Sequence, residues 1–151
     1  LFPEAWVWHK RRTDFRKFWR QVYNSGIARI NLYKKYPESL KIVHLLPMVF
    51  TLGGIFLTLM ILCGLLAMVC TSAKTLGWSL LVLGILPLFL YSTIICIDST
   101  KQNHSLKIGF LSIRAAFYQL MGYGCGFLNA WWKRCVCSHD EFAAYERNFY
   151  S

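Results

Sequence analysis

Charged residues are absent from two long stretches of the chain, and these stretches dominate its pattern. No Asp, Glu, Lys or Arg occurs from Leu45 to Ala73, and none occurs from Thr75 to Ile97. A helix needs about 20 apolar residues to cross a hydrocarbon core ~30 Å thick, and both stretches are that long. Because only a helix satisfies every backbone polar group of such a stretch in lipid, the pattern predicts membrane-spanning helices over about 45–70 and 76–97.

Two apolar helices could instead form the core of a soluble protein. That alternative needs a large surrounding domain, and a chain of 151 residues is too short to cover two such helices on every side. Hydrophobic residues also make up 56% of the chain, which is more than a soluble domain of this size usually contains. The composition therefore favours the membrane interpretation.

A basic amphipathic helix is predicted before the first apolar stretch, from Asp14 to Tyr36, with Thr13 as its N-cap. Its apolar face is rich in aromatic residues: Phe15, Phe18, Trp19, Val22, Gly26, Ile30 and Tyr33. Its polar face is mostly basic: Arg16, Lys17, Arg20, Gln21, Asn24, Asn31, Lys34 and Lys35. Such a helix can lie in the plane of the lipid headgroups, with Trp19 and Arg20 at the membrane interface. Residues 13–44 are therefore interpreted as an interfacial helix and connector, with a surface helix packed on a soluble domain as the alternative.

A third apolar stretch, Ser105–Trp132, has the length of a span but carries more polar residues. It contains Arg114, and an arginine inside a membrane is costly unless it faces protein, water or the interface. Three glycines lie in its second half: Gly122, Gly124 and Gly126. They permit close helix contact or mark a break. Gly53-Gly54 in the first span are expected to give a smooth face for close packing, with a kink as the alternative role. The pattern favours a third span over about 106–132, with a half-buried or re-entrant helix as the alternative.

The remaining segments complete the predicted fold, an all-α membrane protein with a short extended N-terminal segment. Leu1–His9 is expected to be extended, Asp98–His104 to be a polar loop, and residues 133–151 to be a polar tail. Trp131 and Trp132, followed by two basic residues, indicate an anchor at the membrane interface.

The charge of the chain predicts its orientation in the membrane. The net charge is +10, from 17 Lys and Arg against 7 Asp and Glu, and residues 1–44 carry +7, from ten basic and three acidic residues. By the positive-inside rule, this end lies in the cytoplasm and the turn Thr71–Gly77 lies outside. Anionic lipid and anionic small substrates explain the basic charge as well as nucleic acid does, so no nucleic-acid partner is predicted.

The strongest candidate for chemistry is the run His9, Lys10, Arg11 and Arg12. A neutral imidazole could complete a divalent metal site, and the three cations could neutralise a diphosphate. Judged from the residues alone, a structural histidine and a lipid-facing basic anchor are the commoner explanations. The sequence elsewhere has no acidic pair placed for acid–base work or two-metal binding, no phosphate-binding glycine loop and no nucleophile with a matching His and acid, so we expect no reaction from this chain alone.

Three motifs resemble the C-terminal part of bacterial membrane-bound glycosyltransferases of family 2. They are P-E-A-W-V-W-H-K-R-R, F-x-x-F-W-R-Q-V-Y-N-S-G-I-A-R and Y-P-x-S-L-K-I-V-H-L-L-P. The resemblance covers most of the chain and is most specific over Phe2–Pro47. In that family a cytosolic GT-A domain binds a nucleotide sugar through an Asp-x-Asp motif and a divalent metal, and a Glu-Asp motif activates the acceptor. An extended segment ending in His, an interfacial helix and membrane helices follow.

The resemblance implies that residues 1–12 are the tail end of the cytosolic catalytic domain. It makes His9 a ligand of Mg²⁺ or Mn²⁺ and makes Lys10–Arg12 the residues that bind the donor diphosphate. Gln21 and Gly26 match the family's Q-x-x-x-x-G, with an acceptor-side or structural role. Neither the Asp-x-Asp nor the Glu-Asp motif occurs here, so no catalytic residue is assigned and the fragment by itself is expected to be inactive.

The implied activity is transfer of a sugar from a nucleotide-diphosphate donor to a lipid-linked or glycan acceptor, at the cytoplasmic face of the bacterial inner membrane. The Gln-x-x-Arg-Trp signature of processive synthases is missing after Gln21, which favours single-sugar transfer. The expected partners are the donor, the acceptor and membrane lipid. The alternative is a small non-enzymatic membrane anchor or scaffold that binds anionic lipid through the basic N-terminal segment.

Overall fold

The computed structural model describes residues 14–69 and 74–138, and the chain is all-helical over these ranges. The four α-helices are α1 (Phe15–Lys35), α2 (Leu46–Val69), α3 (Lys74–Asn103) and α4 (Leu106–Trp131). Two 3₁₀ turns, Pro37–Ser39 and Ile42–His44, connect α1 to α2, and a π-helical turn, Trp132–Val136, follows α4. The predicted extended segment Leu1–His9 and most of the predicted polar tail lie outside the described residues.

Helices α2 and α3 are long and apolar enough to cross a membrane. Only 6% of the most apolar window of each helix is buried inside the protein. In the core of a soluble protein these side chains would be covered, whereas here most of their Leu, Ile and Phe side chains face outward. Of the described helices, only α2 and α3 meet the length and hydropathy expected of a membrane span. Helix α4 does not, so the predicted third span is not confirmed.

Helices α2 and α3 form an antiparallel hairpin that packs closely at glycines. A Cβ atom added to Gly77 would lie 3.0 Å from the carbonyl oxygen of Gly64, and one added to Gly84 would lie 3.0 Å from that of Leu57. The predicted close packing at Gly53-Gly54 is wrong, since a Cβ atom on either glycine would meet nothing within 4 Å. The two backbones approach each other further along the hairpin, where small residues occur on both helices.

The boundaries of α3 differ from the prediction at both ends. Helix α3 begins at Lys74, so the second half of the predicted turn Thr71–Gly77 is helical. The predicted loop Asp98–His104 is also wrong, because α3 continues to Asn103. Polar residues continue the helix here: the Gln102 amide donates to the Asp98 carboxylate over 2.9 Å. The chain turns only at His104, whose φ is 50°.

Helix α1 packs against the second half of α4, and the two run in the same direction. The Phe15 ring, at the start of α1, lies 5.5 Å from the Tyr118 ring. Near the other end, the Arg134 guanidinium donates to the Asn31 side-chain oxygen over 2.8 Å. The buried residues at this contact are Ile27, Ile30, Phe127 and Ala130. Of the apolar face predicted for α1, Trp19, Val22, Gly26 and Ile30 pack on α4, and so do Tyr23 and Ile27, which that face did not include.

The N-cap of α1 is Asp14 and not the predicted Thr13. The Asp14 carboxylate accepts a hydrogen bond of 2.8 Å from the backbone N–H of Arg16. A carboxylate at this position satisfies a free N–H group and also faces the positive end of the helix dipole. The helix therefore begins one residue later than the sequence predicted.

Helix α4 uses its glycines to contact two neighbours at once. A Cβ atom on Gly124 would meet Thr51 of α2, whereas Cβ atoms on Gly122 and Gly126 would meet Val22 and the Tyr23 carbonyl oxygen of α1. This is the close helix contact that the glycine spacing predicted.

Helix α4 crosses the beginning of α2. Contacts to α2 extend from Phe117 to Gly124 along α4, but on α2 they fall between Pro47 and Thr51. Because two turns of α4 meet little more than one turn of α2, the two helices cross near the beginning of α2. The α1–α4 pair therefore lies at the end of the hairpin where α2 begins.

Candidate functional site

The predicted metal and diphosphate residues, His9, Lys10, Arg11 and Arg12, lie outside the described residues. Their assigned roles stay predictions. Within the ranges 14–69 and 74–138, no three His, Cys, Asp or Glu side chains come together in a group that could hold a metal ion. The described residues therefore do not by themselves form the divalent metal site that the resemblance implies.

An open groove of about 530 Å³ lies where α1 begins against α4, and we call it the Arg114 groove. It is lined by Asp14, Phe15, Arg16, Trp19, Arg114 and Tyr118. Two of these residues are cationic and three are aromatic. Its lining includes Asp14 and Phe15, which follow the basic residues Lys10–Arg12 closely in the sequence.

The Arg114 side chain is held by aromatic rings. Its guanidinium carbon lies 4.5 Å from the centre of the Phe15 ring and 5.1 Å from that of Tyr118. Its Nη2 donates a hydrogen bond of 3.1 Å to the Tyr118 hydroxyl oxygen. Within the described part of the chain, no carboxylate lies within ion-pair distance of this guanidinium. Arg114 is thus fixed by cation–π contacts and remains exposed in the groove.

Contacts between α3 and α4 place Arg114 at the end of an apolar stretch. The hydroxyl groups of Ser112 and Ser99 lie 2.6 Å apart, and Ser99 follows the last residue of the apolar stretch of α3 by two positions. Phe117 lies one turn after Arg114 in α4, and its ring is 5.4 Å from the ring of Tyr91, which belongs to the apolar stretch of α3. Along α4, Arg114 therefore lies between the contact with Ser99 and the contact with Tyr91. This agrees with the expectation that a membrane arginine faces protein or the interface.

Gln21 and Gly26 occupy different sides of α1. A Cβ atom on Gly26 would lie 2.7 Å from the backbone nitrogen of Phe127 and would also meet the Tyr123 carbonyl oxygen. Gly26 therefore has a structural role, because only glycine lets α1 and α4 approach this closely. The Gln21 side chain is exposed, and its backbone carbonyl accepts a hydrogen bond of 3.0 Å from the Ser25 hydroxyl. Its acceptor-side role stays a prediction.

The four residues predicted at the membrane interface differ in their surroundings. Trp19 is half-buried, with its ring 5.4 Å from that of Tyr118 in an edge-on contact. Arg20 is exposed on the polar face of α1. Trp131 and Trp132, at the end of α4, are 44% and 58% exposed. The exposed indoles have the surroundings that an interfacial anchor needs, and their depth in a membrane stays a prediction.

Sequence reasoning did not assign Phe15, Arg114 and Tyr118 to a common site. The sequence indicated only that Arg114 lies in an apolar stretch, where an arginine is energetically costly, so a partner for its side chain was expected. Tyr118 lies four residues further along the same helix, but the contact of Arg114 with Phe15 depends on the packing of α1 on α4, which no spacing in the sequence indicates. Comparison with protein-family models, curated proteins and solved structures gives no match for this chain.

Proposed function

We propose that the chain is the C-terminal membrane part of a glycosyltransferase that moves a sugar from a nucleotide-diphosphate donor to a lipid-linked or membrane acceptor. The single observation that carries the proposal is the position of the Arg114 groove. Its lining includes Asp14 and Phe15, which follow Lys10–Arg12 closely in the sequence, and it lies at the end of an apolar stretch. The sequence resemblance over Phe2–Pro47 and the two apolar helices support the same function.

In this proposal α2 and α3 are the two membrane spans, and the α1–α4 pair lies in the cytoplasmic leaflet. The crossing of α4 over the first turns of α2 supports two spans more than three, since a third span would run beside α2 for most of its length. The excess of Lys and Arg before α2 supports a cytoplasmic location for α1. The membrane is then the bacterial inner membrane, and the chain passes through it twice.

This part of the protein contributes to the reaction by holding the catalytic domain at a fixed height relative to the membrane. An acceptor anchored in lipid diffuses in two dimensions and presents its head group at a constant height. A catalytic domain held at the same height meets it in a restricted set of orientations, which lowers the entropic part of the barrier. His9, together with residues of the preceding domain, would hold the divalent metal, and Lys10–Arg12 would bind the donor diphosphate.

The test begins with the gene sequence upstream of Leu1, where a continuous reading frame with Asp-x-Asp and Glu-Asp motifs would support the proposal, and it uses the protein that this gene encodes. We expect membranes containing it to transfer labelled sugar from a nucleotide sugar to lipid in the presence of Mg²⁺ or Mn²⁺. His9→Ala should lower transfer at least tenfold without changing membrane insertion. His104→Asn is the matched control, because it removes an exposed histidine while Asn tolerates the positive φ at that position. Unchanged transfer by His9→Ala would remove His9 from the site, and an upstream frame without Asp-x-Asp and Glu-Asp motifs would favour a non-enzymatic anchor.

A further inference from the structure

The two guanidinium groups of the Arg114 groove have most of their donors unused. A guanidinium carries five N–H donors. The Arg114 side chain makes one hydrogen bond, to Tyr118, among the residues that the structure describes. The Arg16 side chain lines the same groove, and within those residues it has no hydrogen-bond or ion-pair partner. Both cations can therefore still bind an anion.

The one carboxylate of the groove does not neutralise these cations. The Asp14 Oδ1 atom accepts from the backbone N–H of Arg16, where it serves as the N-cap of α1. No contact within ion-pair distance joins Asp14 to the guanidinium of Arg16 or Arg114 among the described residues. The formal charge of the groove is thus +1, from two arginines and one aspartate.

We infer that the Arg114 groove binds the phosphate group of a membrane lipid. A guanidinium presents a planar fork of donors that matches two phosphate oxygens, and the cation–π contacts hold the fork of Arg114 in place before a ligand arrives. The groove lies at the end of the apolar stretch of α3, which is the depth of lipid phosphates when α3 crosses a membrane. Its aromatic wall of Phe15, Trp19 and Tyr118 offers contact for the apolar part of the same lipid.

The phosphate could come from a phospholipid headgroup, which is a diester, or from a prenyl phosphate, which is a monoester. Neither source requires sugar transfer, so this site can exist whether or not the proposed function is right. If both hold, the groove is the place where the phosphate of a lipid-linked acceptor is bound.

The test is lipid binding by the whole chain, purified in a neutral maltoside detergent and followed by calorimetric titration. The ligands are dioctanoyl phosphatidylglycerol, farnesyl phosphate and inorganic phosphate. We expect one or both lipids to bind, and Arg114→Gln to weaken that binding at least tenfold. Arg114→Lys keeps the charge but loses the fork, so it should weaken binding by a smaller factor. Lys107→Gln removes one charge from an exposed position of the same helix and should change binding less than twofold.

Three results would overturn the inference. The first is wild-type affinity for both lipids in Arg114→Gln with its helical circular dichroism intact. The second is an equal loss in Lys107→Gln, which would indicate nonspecific attraction to charge. The third is binding of inorganic phosphate as tight as that of either lipid. If Arg114→Gln fails to fold, wild-type affinity in Arg114→Lys overturns the inference in the same way. No nucleotide sugar is present, so failure of the transferase proposal would not affect this measurement.

Discussion

The side-chain amide of Asn129 in α4 donates a hydrogen bond of 2.7 Å to the hydroxyl oxygen of Tyr23 in α1. Beside it, a Cβ atom on Gly126 would meet the backbone carbonyl of the same tyrosine. A polar link and a close backbone contact therefore occur together at the α1–α4 interface. Both are interactions that hold helices together where burial of apolar surface contributes little, as in a membrane.

The hydrogen bond can be tested by a double-mutant cycle. We expect Tyr23→Phe to lower the free energy of unfolding by about 0.5–1.5 kcal/mol, because it leaves the Asn129 amide without its acceptor. Asn129→Leu combined with Tyr23→Phe should cost less than the sum of the two single changes. Unfolding by dodecyl sulfate in mixed micelles, followed by circular dichroism, gives the values. Tyr36→Phe, at an exposed tyrosine, is the control, and additive effects of Tyr23 and Asn129 would show that the bond contributes no coupling energy.

The close contact at Gly126 predicts that substitution by alanine destabilises the chain more at this position than at Gly53. Gly126→Ala should destabilise the chain by about 1–3 kcal/mol, because its methyl group would meet backbone atoms of Tyr23, which cannot move aside without separating the helices. Gly53→Ala is the control. Nothing lies within 4 Å of its added Cβ atom, and alanine favours a helix over glycine, so its effect should be neutral or stabilising. Equal effects of the two changes in the unfolding titration would contradict the α1–α4 packing.

The crossing of α4 over α2 predicts that both ends of α4 lie on one side of the membrane. We expect Lys107→Cys and the native Cys137, each as the single cysteine, to react with an impermeant maleimide only after the cells are permeabilised. Both positions are exposed, so reactivity depends on the side of the membrane and not on burial. Labelling of one position but not the other in intact cells would instead establish the third span that the sequence favoured.

The sequence indicates the helices well and their neighbours poorly. The uncharged stretches predicted α2 and most of α3, because helix formation in lipid depends only on length and polarity. The period of Phe15, Trp19 and Ile30 predicted the covered face of α1. Nothing in that period distinguishes a lipid surface from the face of α4, since both are apolar.

The missed features depend on contacts between residues far apart in sequence. Asp98 and Lys101 predicted a loop because they are charged, yet a side-chain bond to Gln102 and packing on α4 keep this segment helical. The glycines that pack α2 on α3 could not be distinguished from Gly53, because the partner backbone decides which glycine is approached. For the same reason, the sequence could not predict the contact between Arg114 and Phe15.

The most direct test of the membrane architecture is the side from which the two ends of α2 can be labelled. Lys34→Cys and Thr75→Cys, each as the single cysteine, lie at exposed positions before α2 and after it. In intact cells an impermeant maleimide should label Thr75→Cys within minutes and leave Lys34→Cys unlabelled until the cells are permeabilised. Labelling of both positions from the same side would contradict the claim that α2 crosses the membrane.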